Sequence, residues 1–157
     1  MDKRKLIAAI VAQLEAERGV IVAAAQSARE EATDPESKQE GQYDMRGQAA
    51  AYLAEGQARL AAELAEAIAA FRALPADPLH AGASAGLGSF VVLETAGKAQ
   101  AYFLGPSRGG LEVAIEGASV LVITPASPLG RQMLGRRAGD PVPLLRPGAA
   151  ACVLSVE

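Results

Sequence analysis

Proline and glycine divide this chain of 157 residues into two unequal kinds of sequence. Positions 1–74 carry one of the nine prolines and four of the sixteen glycines, and positions 75–157 carry the rest. Both residue types interrupt helices, so the first part can run in long helices while the second must turn often. The fold class this predicts is α+β, with one domain over residues 1–75, another over 76–157, and a joint at Pro75-Ala76-Asp77-Pro78. In the second part Ser89 to Glu94, Ala99 to Leu104, Leu111 to Ile115 and Val120 to Thr124 read as short strands between turn residues. Ser127 then suits an N-cap, Pro128 the first position of a short helix and Gly135 its end.

The first part is rich in alanine, of which the whole chain has 35. Alanine favours helix and adds little transfer energy, so the 50% hydrophobic content overstates the volume available to a core. Leu53, Gln57, Leu60, Leu64, Ala67, Phe71 and Leu74 are spaced as the seam of a heptad coiled coil. Ile7, Ile10, Leu14, Ile21, Ala24 and Ala28 form a looser stripe upstream, interrupted by Glu17 and weakened at Gly19. Pro35 and Gly41 punctuate the polar segment from Thr33 to Gly41, which predicts a turn between two antiparallel helices. An arm of about 30 residues would extend roughly 45 Å. Dimerisation through such a coiled coil is the plain alternative to a projecting rod.

Several function classes drop out on composition. The chain has no run of 18 apolar residues and no secretory pattern at its start, so a cytoplasmic location with no membrane association is expected. One cysteine and one histidine cannot build an internal disulfide or a structural zinc site. A net charge of −3, with 15 scattered basic residues, argues against a module held mainly by nucleic-acid phosphates. His80 reads as a surface or hinge residue, and Cys152, inside the apolar run Ala149 to Val156, as a small core residue.

Glu30, Glu31, Asp34, Glu36, Glu40 and Asp44 crowd the turn region against the single Lys38. Six like charges this close are tolerable in water or beside cations. A solvated turn explains them, and so does a partial set of hard oxygen ligands for Mg²⁺ that a partner would complete. Tyr43 and Tyr52 read as rings packed on the first helix, and Arg46 could pair with these carboxylates or meet a phosphate. Arg131, Arg136 and Arg137 gather around the short helix, either as a solvated face or as a docking surface for an acidic partner.

Ser127-Pro128-Leu129-Gly130-Arg131, continuing through Leu134-Gly135-Arg136-Arg137-Ala138-Gly139-Asp140, resembles the C-terminal signature of the Gre-type transcription elongation factors. Gly86-Leu87-Gly88-Ser89 and Leu104-Gly105-Pro106 resemble that family too, and the likeness covers residues 86–156. It implies a coiled-coil hairpin followed by a small FKBP-like antiparallel β domain with a short helix. It further implies an accessory factor, itself no enzyme, that binds bacterial RNA polymerase in its secondary channel and meets nucleic acid only there; a monomer is expected. Ser127 to Arg131 would then belong to the docking domain. The acidic tip, with Glu40 and Glu36 as metal-facing residues and Asp34 and Asp44 as further candidates, would share Mg²⁺ with polymerase and support cleavage of backtracked transcripts. No cofactor is expected on the chain alone.

The tip Glu36-Ser37-Lys38-Gln39-Glu40-Gly41-Gln42-Tyr43 departs from the family pattern, approximately Asp-x-x-Glu-Asn-x-Glu-Tyr, by one residue before the tyrosine. With Glu40 in the Glu position, Ser37 falls where the pattern has Asp. A secondary-channel regulator that does not stimulate cleavage is therefore a second reading. A prolyl isomerase, suggested by the implied fold alone, is a third, with Phe90, Tyr102 and Phe103 as the aromatics available to line a pocket.

Overall fold

The computed structural model describes residues 1–33, 45–77, 79–80, 82–143 and 150–157. Two long helices, α1 (Lys3–Thr33) and α2 (Met45–Arg72), precede β1 (Phe90–Thr95), β2 (Lys98–Leu104), β3 (Glu112–Ile115) and β4 (Ala118–Ile123). A short helix α3 (Pro128–Met133) and strands β5 (Pro141–Pro143) and β6 (Ala150–Val156) complete the order. The chain forms two compact units, one of residues 1–11 with 69–157, the other of residues 12–68.

Asp2 starts α1: its backbone carbonyl accepts the amide of Leu6, and its Oδ1 accepts those of Arg4 at 3.0 Å and Lys5 at 3.4 Å. The helix then continues through Gly19, whose cost of about 1 kcal/mol relative to alanine is spread over 31 residues of mostly good helix formers. The beginning of α1 and the end of α2 belong to one unit, so the two helices run in opposite directions.

In the unit of residues 12–68, Leu14, Ala25 and Ala28 of α1 and Ala54, Ala61, Leu64, Ala67 and Ile68 of α2 are buried. The guanidinium Nε of Arg18 donates to the carbonyl of Ala61 at 3.3 Å, so the helices are neighbours at that level. The buried face keeps Leu64 and Ala67 of the expected seam and departs from it toward the start of α2. Leu53 and Leu60 are 55% and 46% exposed, and the adjacent Ala54 and Ala61 are buried in their stead. On α1, Leu14 and Ala28 are buried as expected, whereas Ala24 is exposed and Ala25 is buried. A shift of one position turns a side chain by about 100° around the helix, and small side chains at a contact permit closer backbones. Tyr52, expected to pack through its ring, is 69% exposed. The expected turn from Thr33 to Gly41 falls almost wholly outside the described residues.

The other unit is built on a six-stranded sheet in the order β3-β4-β2-β1-β6-β5. The expected antiparallel pattern holds for β1 with β2 and β6, β3 with β4, and β5 with β6, while β2 and β4 run parallel. Both tight hairpins turn on two residues with positive φ, Ala96-Gly97 (50° and 76°) and Glu116-Gly117 (51° and 80°). That pattern is the one whose twist matches the strands it joins.

One face of the sheet presents Val91, Leu93, Leu104 and Ile123 to Met133 of α3, in a cluster that includes Val142, Ala151 and Val153. Facing the other way, Phe103 stacks on Phe71 of α2, with ring centroids 6.3 Å apart and an interplanar angle of 26°. Leu6, Ile7, Ile10 and Val11 are buried in this same unit. A Cβ on Gly105 would lie 2.8 Å from Val122 Cγ1 and 2.9 Å from Phe71 Cζ, so the ring seats where a side chain is missing. Cys152 is exposed, contrary to expectation, because strand alternation turns its neighbours Ala151 and Val153 into the core. His80 is exposed, as expected.

Two substitutions separate the observed helix contact from the expected one. Leu64→Ala should cost about 2–4 kcal/mol in urea unfolding followed by helical circular dichroism, and Leu60→Ala less than about 1 kcal/mol. Equal losses would mean that Leu60 belongs to the seam.

Candidate functional site

The residues expected to carry chemistry lie in the acidic turn between α1 and α2 and around α3. Asp34, Glu36, Glu40 and Asp44, with Lys38 and Tyr43, lie outside the described residues, and Glu31 falls in the last turn of α1. Glu30 lies on α1 and is exposed. Among the described residues no group of three or more histidine, cysteine or carboxylate side chains could hold a metal ion.

Ser127 to Arg131 are described throughout, and local chemistry explains their order. Ser127 has extended backbone (φ −69°, ψ 154°), and its Oγ accepts the amide of Gly130 at 3.0 Å while donating to the carbonyl of Thr124 at 2.8 Å. One hydroxyl thus caps the first turn of α3 and fastens it to the end of β4. Pro128 follows at the first turn, where no amide donor is required. Leu129 is half-buried against the sheet cluster, and Gly130 is buried. A Cβ at Gly130 would stand 1.9 Å from the Thr124 carbonyl oxygen, a separation no side chain can occupy. Arg131 is exposed, and its guanidinium donates to the carbonyl of Ala126.

The rest of the signature continues in the same manner. Leu134 donates its amide to the carbonyl of Gly130 at 3.0 Å, and Gly135 adopts φ +78° just past the helix. Gly135 N donates to Ala85 O at 2.8 Å, and Ala85 N donates to Arg136 O at 2.7 Å, which ties the helix end to the segment before β1. Asp140 Oδ2 accepts the amide of Arg137 at 2.8 Å, and Gly139, at φ +91°, donates to Val153 O at 2.8 Å. The upstream Gly86-Leu87-Gly88-Ser89 is equally structural: the buried Ser89 accepts the Gly86 amide at 2.9 Å, and Gly88 has φ +81°.

What remains for a partner is the outer surface of this framework. Arg131, Arg136 and Arg137 are exposed or half-exposed around α3, joined by Leu134 at 40% exposure and Leu87 at 51%. The Ala85–Gly135 and Ala85–Arg136 bonds bring the segments bearing those two leucines together. The leucines were not singled out in the sequence, although both stand inside the motifs that were. Beside glycines a leucine reads as core, and only its exposure reveals otherwise. An apolar pair edged by arginines can bury hydrocarbon against a partner and pair with carboxylates at the rim.

Removing the Ser127 hydroxyl should lower stability by about 1 kcal/mol and leave the sheet intact. Gly130→Ala should cost several-fold more, because helix and strand end must separate. Thermal unfolding of both variants measures the difference, and a Gly130→Ala protein as stable as the parent would contradict the close contact.

No protein-family model matches the chain, and no curated protein matches it. Among solved structures it is similar to GreA factor homolog 1 (Gfh1) of Thermus thermophilus, at 21% identity over 94% of each chain and a TM-score of 0.38. A second structure, of the transcription factor Gfh1, is 24% identical over 99% of this chain and 93% of that one, with a TM-score of 0.40. Gfh1 of Thermus aquaticus is 24% identical over 92% of this chain and 89% of its own, with a TM-score of 0.38. By its printed name, Gfh1 is a homolog of a factor in the family that residues 127–140 resemble.

Proposed function

We propose that this chain is a Gre-type transcription factor that binds RNA polymerase in its secondary channel and, through its acidic turn, stimulates cleavage of backtracked transcripts. The observation that carries the reading is the signature from Ser127 to Asp140. Its residues form a rigid capped helix whose internal bonds use the serine and glycines and leave Leu134 and the arginines for a partner. The unit of residues 12–68 supports it as well. It consists of stretches of α1 and α2 long enough for a rod on the order of 30 Å. The β unit docks on polymerase, and the helices carry Glu40, Glu36, Asp34 and Asp44 toward its catalytic centre. Carboxylate oxygens suit Mg²⁺, which in phosphodiester hydrolysis stabilises the attacking and leaving oxygens. The hydrolysis is polymerase's own, and this chain acts as an accessory rather than an enzyme.

A second reading, a channel-binding regulator without cleavage, is favoured by the sequence Glu40-Gly41-Gln42-Tyr43, one residue short of the family spacing, and by Ser37 in place of a carboxylate. Misplacing catalytic groups by about 1 Å costs on the order of 100-fold in rate. The prolyl-isomerase reading loses its aromatic lining, because Phe90 and Phe103 are buried and Tyr102 packs on the sheet cluster.

The deciding experiment incubates a backtracked elongation complex with the protein and resolves the RNA ends. Under the first reading, Mg²⁺-dependent shortened RNAs form, and Glu40→Ala reduces their rate by about 100-fold while binding to polymerase persists. Binding without shortened RNA would establish the second reading. Absence of binding would end both.

A further inference from the structure

The unit of residues 12–68 exposes an uncharged stripe on each of its helices. On α2, Leu53 and Leu60 are 55% and 46% exposed, each one position before a buried alanine, and Gly56 lies between them with nothing within 4 Å of where a Cβ would stand. On α1, Val20 is 72% exposed one position before the half-buried Ile21, and exposed Ala24 and Ser27 precede buried Ala25 and Ala28 in the same way. One position is about 100° of rotation, and in two antiparallel helices the same backward turn from the buried line leads to the same side of the pair. The two stripes therefore form one face.

The bond from Arg18 Nε to the Ala61 carbonyl fixes the level of one helix against the other. Counted from it in opposite directions, Val20 falls near the level of Leu60, Ala24 near Gly56 and Ser27 near Leu53. The middle of the face is thus small and its ends are larger. None of these six residues is charged, although Glu15, Arg29, Glu55 and Arg59 stand on the same helices. Leu53, Gly56 and Leu60 keep the three-then-four spacing of a heptad seam, yet all three are exposed. An uncharged seam at helical spacing fits another helical surface of the same spacing, and exposed apolar area of this kind marks an interaction site.

We propose that this face binds a second copy of the chain, the two helix pairs packing as a four-helix bundle with Ala24 and Gly56 of one copy against those of the other. A two-fold axis makes the face its own partner. Small residues at the centre let the backbones approach, and the leucines interdigitate on either side. Two helices, each about 10 Å across, over roughly 25 Å of shared length offer about 500 Å² of face, so a pair of copies buries on the order of 1,000 Å². That is near the lower bound for a specific interface and gives a reversible dimer in the micromolar range, of which the expected monomer is the dilute form. The assignment is independent of any role in transcription.

Sedimentation velocity of the full chain over a range of concentrations tests this. A monomer–dimer equilibrium is expected, and Leu60→Glu should weaken it by about tenfold or more. Gly56→Leu should weaken it to a similar degree while helical circular dichroism does not fall, because the added side chain has open space in the single copy. Val22, 43% exposed and one position after Ile21, lies on the opposite side of the pair, so Val22→Glu should leave the equilibrium unchanged. A dimer indifferent to Leu60→Glu and Gly56→Leu, one lost equally in Val22→Glu, or an assembly larger than two copies would overturn the assignment. So would a chain that stays monomeric at hundreds of micromolar, and if its Leu60→Glu variant then failed to bind polymerase, the face would belong to polymerase instead.

Discussion

The unit that carries the sheet depends on one ring. Phe71, in the last turn of α2, is fully buried, and it stacks on Phe103 of β2 and occupies the space left by Gly105. A buried phenyl ring contributes about 3 kcal/mol in transfer energy before any geometry of stacking is counted. The aromatic needs a neighbour without a side chain, and the chain supplies one directly after β2. Helix end and sheet are thus fitted by shape as well as by hydrophobicity. The face opposite Phe71 is free to receive α3, and the signature residues build their framework there.

That framework accounts for the motif residue by residue in structural terms. Ser127, Gly130, Gly135, Gly139 and Asp140 are each required by a cap, a close approach or a positive φ. None of them has a side chain left over for another molecule. They fix the backbone that carries Leu134 and the arginines, which would lower the ordering cost of any binding at that surface. The unit of residues 12–68 has a different economy. Its buried face is largely alanine, which contributes little transfer energy per residue, so its two helices rely on intrinsic helix propensity and close backbone approach. Exposed Leu53, Leu60, Val20 and Tyr52 leave apolar surface on that unit.

Much of this was legible in the chain itself. Strands β1 to β4 fall within one or two residues of the expected segments, because period-two patterns bounded by glycine and proline have few competing readings. The cap at Ser127, the helix start at Pro128 and the stop near Gly135 are as expected, since each rests on short-range backbone chemistry. The terminal strand β6 was visible only as an apolar run, and Cys152 was assigned to its wrong face for want of a register. The acidic turn, from which most of the expected chemistry was read, lies outside the described residues.

Sequence alone determined where helices give way to strands, because proline and glycine act on the backbone wherever they stand. It also determined the capping of α3, which needs atoms no more than a few positions apart. The tertiary structure decided which stripe of α2 is buried. Leu64, Ala67 and Phe71 are buried as their spacing predicts, but nearer the start of α2 an alanine follows each leucine, and the fit of the second helix buries Ala54 and Ala61 in place of Leu53 and Leu60. It likewise decided that β2 and β4 run parallel and that Leu87 and Leu134 face outward. Each of these depends on neighbours distant in the chain, whose proximity no local pattern encodes.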